Sequence, residues 1–305
     1  MRAGRAPKKI WRGELVEPRR LRARGLLLVG GGALWLLLLL VLPGLLLAAV
    51  AFTERDPYGR IEWTLSLSAW KRLAGFGTFG WSADYLRILA RSVWVAGVTT
   101  ALSLALAWPL AFQIARAGGR ARWLWVALVT VPMATNLVVR TYAWELLLSA
   151  GLPPAALAAS LGLIPPGTSL YPGTLATYLG MVSNALPFAV LPLYVNAERL
   201  DPGLSEAAQD LYASRWRALW QVVVPQMRPG LLAATVLTFV PAMGMFVITD
   251  RLGGAGSMIL GNLIQQQFGP SRDYPLGSAV SLLLIVLTLA GLFLLRRRGD
   301  QRAFL

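Results

Sequence analysis

Six stretches of this chain run for about twenty residues with almost no charge, and that repetition decides the solvent in which it folds. A helix rises about 1.5 Å per residue, so about 20 apolar residues cross the roughly 30 Å of a bilayer's hydrocarbon. The stretches are 25–53, 92–115, 123–145, 173–197, 229–249 and 274–295. The third is charge-free only from Trp123 to Val139 and continues through Arg140 to Glu145 before Gly151-Leu152-Pro153-Pro154 stops it. Charges near a span's end can reach the interface. Only 14% of the 305 residues are charged and 56% are hydrophobic, against about 25% charged in soluble domains. The expected fold class is all-α integral membrane, with six transmembrane helices.

The net charge of +15 is distributed unevenly. Residues 1–24 carry nine Lys and Arg against Glu14 and Glu17, the 116–122 loop carries Arg116, Arg120 and Arg122, and 296–305 is a third basic segment. In a six-span chain all three fall on one side, and Lys/Arg-rich short segments mark the cytoplasm. Both termini are therefore expected in the cytoplasm, with 1–24 and 296–305 as basic tails and 54–90 as an extracytoplasmic, aromatic-rich segment. The first span is too long for a signal-peptide core of about 7–15 residues and reads as a retained anchor. The basic tail lacks the interleaved aromatics of a nucleic-acid site, so no nucleic acid is expected, only the lipid bilayer.

Without Cys or His there is no thiol nucleophile, no Ser-His-Asp triad and no ordinary zinc site. No catalytic residue, metal or cofactor is expected. No GxxxxGK[ST] loop occurs, so the chain does not bind ATP by that route. Proton coupling usually uses intramembrane carboxylates or His, and the only candidates are Glu145 and Asp250, near the outer ends of spans. A partner is expected to supply the work. A stand-alone secondary carrier or channel for cationic amines is the alternative.

One inside segment breaks the charge pattern. Residues 198–228 sum to zero. Within them, Asp201-Pro202 makes an N-cap and first-turn pair, and Leu204, Ala207, Ala208 and Leu211 fall at i, i+3, i+4 and i+7 of a short amphipathic helix. A helix lying on a membrane is usually Lys/Arg-rich on its polar face, whereas Glu206 and Asp210 flank this stripe. That composition suits a protein partner.

Glu206-Ala207-Ala208, followed at the family spacing by Val222, Val224 and Pro225, resembles the EAA loop of permease subunits of ABC importers. The family's Gly position is Tyr212 here. The resemblance spans roughly Ser82 to Leu295. Val139-Arg140-Thr141-Tyr142-Ala143-Trp144, Leu186 to Tyr194, Val240 to Phe246, and Ile259-Leu260-Gly261-Asn262 through Arg272-Asp273-Tyr274-Pro275 are similar to the spermidine/putrescine branch. It implies a type I ABC importer permease fold over 91–295, with 198–228 as the cytoplasmic coupling loop. It also implies cytoplasmic ATPase subunits, a second related permease subunit and an extracytoplasmic substrate-binding protein. Glu206, Ala207, Ala208, Asp210, Tyr212, Ala213 and Ser214 would form the ATPase-coupling surface. If the family's Gly serves a positive-φ turn, Tyr at 212 is strained.

The implied substrate is a polyamine, with an opine-like amine as an alternative. A chain of ammonium groups calls for carboxylates, carbonyls and aromatic faces along its path. Arg140, Tyr142, Trp144 and Glu145 cluster at the outer end of span three, and Asp250 lies at the outer end of span five. Trp144, Glu145 and Asp250 are expected to border the pathway, and Arg140 to pair with a carboxylate in an outer gate. Tyr142 and Trp144 also fit ordinary interfacial anchors. Pro241 and Gly244 are expected to interrupt span five, and Pro109 and Pro132 to kink their helices.

Overall fold

The structure, a computed structural model, describes residues 18–77, 80–254 and 256–300, with side chains described from 30 to 293 within those ranges. Most of the two basic tails lies outside the described residues. The chain divides into two units, Met1–Ala49 and Val50–Leu305. The first is helix α1 (Pro18–Ala51), which passes its last two residues to the second unit. Its apolar part, Gly30–Ala51, reaches a mean hydropathy of 2.7 over its most apolar 18 residues.

The second unit opens with two short antiparallel hairpins, β1 (Glu54–Arg55) with β2 (Ile61–Glu62) and β3 (Phe76–Gly77) with β4 (Gly80–Trp81), around helix α2 (Ser68–Leu73). Then come α3 (Asp84–Arg116), α4 (Gly119–Ala134), α5 (Leu137–Leu147), α6 (Pro153–Ser160) and α7 (Thr174–Glu198). The segment after α7 holds α8 (Pro202–Asp210) and α9 (Arg215–Ala218), a π-helical turn over Leu219–Val223, and α10 (Val224–Gln226). Helices α11 (Arg228–Gly244), α12 (Phe246–Leu252), α13 (Leu260–Phe268) and α14 (Tyr274–Asp300) complete it.

Among the described residues four helices are long and apolar enough to cross a bilayer unaided, in α1, α3, α7 and α14, and the number is up to six if each of two bent pairs, α4 with α5 and Arg215–Gln226 with α11, is one span. The span expected over 123–145 is one of those pairs. Helices α4 and α5 meet at 98°, so this stretch does not run straight through. The break falls at Thr135-Asn136, just past Pro132, where the Asn136 side chain accepts from the Val138 amide and starts a new helix. A sequence window counts apolar residues and cannot register a change of direction. Span five also differs in detail. Helix α11 runs on through Pro241 to Gly244, and the backbone leaves helical geometry at Met245.

The core is a packing of α3, α7 and α11. Ala96, Thr100, Ser103, Ala107 and Ala111 make one buried stripe of small side chains along α3. Ala176 and Ala189 on α7, and Gly230, Ala234 and Thr238 on α11, answer it, while Gly180 of α7 faces α12. In lipid, small residues let backbones approach and gain dispersion contact. A Cβ at Gly180 would sit 2.7 Å from Leu252 and 2.9 Å from Ile248, closer than side chains tolerate.

Polar contacts sort the connections into two ends. At one end Arg122 pairs with Glu198 and also donates to the carbonyls of Ala115 and Ala117. That ties the α3–α4 loop to the end of α7. At the other end Arg72 reaches Asp273 through two hydrogen bonds of 2.6 and 3.2 Å, with Arg55 at 3.7 Å. There too Leu170 bonds to Leu148 and Gly173 to Leu252 through the backbone. The alternation expected of spans two to six is thus present.

Asp273 is 2% exposed and its Oδ1 also accepts from the Leu276 amide at the start of α14. Asp273→Ala removes a helix cap and strands a guanidinium. It should cost about 2–3 kcal/mol in thermal unfolding of the solubilised protein. Arg55→Ala, at a longer and more exposed contact, should cost under about 0.5 kcal/mol.

Candidate functional site

Helix α8 begins as its sequence dictates. Asp201 accepts from the Gly203 amide at 2.9 Å, Pro202 takes the first turn, and no residue of the helix is buried. Its end is a Schellman motif: the Ala213 amide donates to the Ala208 carbonyl at 3.0 Å and the Tyr212 amide to the Gln209 carbonyl at 2.9 Å. That motif places its reversing residue in the left-handed region, and Tyr212 has φ +62°. The positive φ inferred for this position from the resemblance is present, carried by a tyrosine whose ring is 97% exposed. Ser214 then caps α9 by accepting from the Arg217 amide at 3.3 Å. Glu206, Ala207, Ala208, Asp210, Tyr212, Ala213 and Ser214 therefore form one helix–turn–helix corner. Glu206, Ala207, Asp210, Tyr212 and Ser214 are exposed there, and Ala208 and Ala213 half-buried.

The residues singled out at the other end do not share one chamber. Asp250, on α12, lines a cavity of about 360 Å³ with Thr249, Ser257, Asn262, Gln265 and Gln266. Arg140, on α5, lines a separate cavity of about 200 Å³ among Met133, Met181, Phe188, Leu237 and Met245. Trp144 packs on the core and donates its indole N–H to the Ser183 hydroxyl at 2.8 Å. Tyr142 lies under the Arg251 guanidinium, 4.8 Å from the ring centroid. Glu145 is half-buried, and its Oε2 has no hydrogen-bond partner among the described residues. Arg140 forms no ion pair among them either. Its guanidinium donates to the Thr135 carbonyl at 3.2 Å, while its Nε has no partner. The carboxylate expected beside Arg140 is thus not supplied by this chain's described residues: Glu145, five residues on along α5, is not one of its i+3 or i+4 neighbours, and Asp250 lines the other cavity.

Asn262 and Ser92 escaped sequence reasoning. Asn262 accepts from the Thr249 hydroxyl at 2.7 Å and the Ile259 amide at 3.2 Å, and donates to the Phe246 carbonyl at 3.3 Å. It thereby satisfies backbone freed where α11 gives way to α12. The Ser92 hydroxyl accepts from the Leu260 amide at 2.7 Å. Gly261 is required in this arrangement, since a Cβ there would lie 2.4 Å from the Gly244 carbonyl oxygen. The signal was the polar pair Gly261-Asn262 next to an apolar run, with no periodicity to interpret it.

The family model for binding-protein-dependent transport system inner membrane components matches residues 97–297. This chain belongs to that family. The permease is 33% identical to the spermidine/putrescine transport system permease protein PotB of Escherichia coli, over 86% of this chain and 92% of that one. Against the PotB of Haemophilus influenzae it is 32% identical, covering 83% and 86%. Among solved structures, a chain of a bacterial ABC transporter that imports the acidic polysaccharide alginate superimposes with TM-score 0.70 at 16% identity, over 93% of this chain and 96% of that one. The permease therefore has the type I ABC importer permease fold.

Left-handed backbone costs a non-glycine residue about 1–2 kcal/mol, partly offset by the freedom glycine loses on folding. Tyr212→Gly should stabilise the permease by about 0.5–1 kcal/mol in thermal unfolding. A Tyr212→Val variant, β-branched at the same φ, should be destabilised.

Proposed function

We propose that the permease forms half of the translocation pathway of an ATP-driven polyamine importer and receives its work through α8 from a separate ATPase. The observation that carries the substrate is the 33% identity to a spermidine/putrescine permease across 86% of the chain. The chemistry of the Asp250 cavity agrees with it. A carboxylate beside the side-chain carbonyls of Gln265 and Gln266 and the hydroxyl oxygens of Thr249 and Ser257 offers an ammonium group charge and neutral acceptors together. Glu145, with an oxygen unused within the described residues, is a second acceptor. The Arg140 cavity is the opposite environment, a fixed cation among apolar side chains. A cation there is a barrier to ammonium groups, so Arg140 acts in the gate.

The partners follow from what the permease lacks and presents. It has no nucleotide loop of its own, and its exposed corner at Glu206–Ser214 is shaped to enter a groove on a cytoplasmic ATPase. Arg140 would find its carboxylate on the second permease subunit, and an extracytoplasmic binding protein would deliver the polyamine. On this reading the 116–122 and 198–228 segments are cytoplasmic, and both termini with them. Motion at α8 passes into the π-helical turn it touches. Through buried Ala218 and Met227 it reaches α11, whose Leu237, Thr238, Pro241 and Ala242 line the Arg140 cavity.

Glu206→Lys should abolish co-purification of the ATPase and uptake together while leaving the permease in the membrane. Retained association with full uptake would overturn the coupling role. Asp250→Asn and Glu145→Gln should each raise the polyamine concentration for half-maximal uptake, by about ten-fold for the loss of one charge-assisted hydrogen bond. If both leave uptake unchanged in the reconstituted complex, the cation path lies elsewhere.

A further inference from the structure

The neutrality of 198–228 conceals a segregation of charge. From 198 to 210 the acids Glu198, Asp201, Glu206 and Asp210 stand against Arg199 alone, for a net −3, whereas 211–228 holds Arg215, Arg217 and Arg228 with no acid, for +3. The basic half is the run α9, π-helical turn and α10, twelve residues about 18 Å long. It meets α11 at 68°. Helix α11 continues into α12 and spans the bilayer, and spanning helices tilt about 20° from its normal. The basic run consequently lies nearer the plane of the membrane than its normal, at one end of the bundle.

Its faces are distinct. Ala218 and, just beyond α10, Met227 are 2% and 0% exposed against the bundle. Trp216 and Trp220, one turn apart, are 72% and 63% exposed on another side, with Arg215, Arg217 and Arg228 also exposed. Exposed tryptophans one turn apart, with arginines beside them, have the chemistry of the headgroup layer: indole rings settle there, and guanidinium groups bind phosphate. We propose that Arg215–Arg228 is an interfacial shelf that binds anionic phospholipid headgroups, with Trp216 and Trp220 inserted at headgroup depth. The same surface charge that attracts this shelf repels Asp201, Glu206 and Asp210. The membrane thereby holds α8 off its surface, presented for docking. The choice of an anionic leaflet rests on the cytoplasmic placement proposed above for 198–228.

The natural absence of Cys makes a direct test clean. Nitroxide labels on single variants Trp216→Cys, Trp220→Cys and, on α8, Gln209→Cys are compared in the assembled transporter, in nanodiscs of phosphatidylcholine with and without phosphatidylglycerol. Collisions with oxygen and with a water-soluble nickel chelate give the depth of each label. Labels at 216 and 220 should sit at headgroup depth and the label at 209 outside the bilayer. Arg215→Gln/Arg217→Gln should weaken the preference of the purified permease for phosphatidylglycerol over phosphatidylcholine by about five-fold per arginine, read by native mass spectrometry. Labels at 216 and 220 freely reached by the chelate would overturn the shelf, as would an unchanged lipid preference. Labels shielded from both reagents would assign the surface to a protein neighbour instead. Polyamine uptake and ATPase co-purification are scored on the same preparations, so failure of the shelf is separable from failure of the importer reading.

Discussion

In hydrocarbon, apolar side chains gain nothing by leaving lipid for a neighbouring helix, so α3, α7 and α11 are held together by closeness of approach. The stripe from Ala96 to Ala111 and the glycine at 230 provide it. A larger residue at any of these contacts would part the helices and forfeit dispersion contact along a whole face. The arrangement keeps its loops at two chemically different ends. One is tied by Arg122 to Glu198, the other by Arg72 to Asp273.

The two ends are built for different work. Around Asp273, Asn262 and Ser92 the polar groups are buried and bonded, so short helices such as α12 and α13 can stand at awkward angles without unpaired backbone. Irregular backbone of this kind is tolerated in a membrane protein where protein or a cavity surrounds it, and the Asp250 cavity lies beside it. At the opposite end α8 has no buried residue and is closed by a tyrosine in left-handed geometry. An exposed helix with little packing of its own is free to take its position from whatever binds it.

Much of this was legible beforehand, for identifiable reasons. The limits of α7 and the start of α14 follow from uninterrupted hydropathy, and α8 from Asp201-Pro202 and the spacing of Leu204, Ala207, Ala208 and Leu211. The EAA pattern raised a positive φ at position 212 only as a condition on the family's glycine, and Tyr212 meets it at φ +62°. Directions were not legible. Nothing in Thr135-Asn136 reports a 98° turn, because a cap starts a helix without saying where it points. Long-range pairs such as Arg72 with Asp273, 201 residues apart, leave no local pattern at all. The acidic and basic halves of 198–228 were present in the sequence but vanish when summed.

On the proposed function, transport depends on work entering from outside the chain. The most direct measurement is uptake of labelled spermidine and putrescine into liposomes, comparing the permease alone with the complex of both permeases, the ATPase and the binding protein. The expected result is ATP-dependent accumulation by the complex and none by the permease alone, even with an imposed proton or sodium gradient. Uptake by the permease alone would contradict it and make the chain a carrier or channel in its own right.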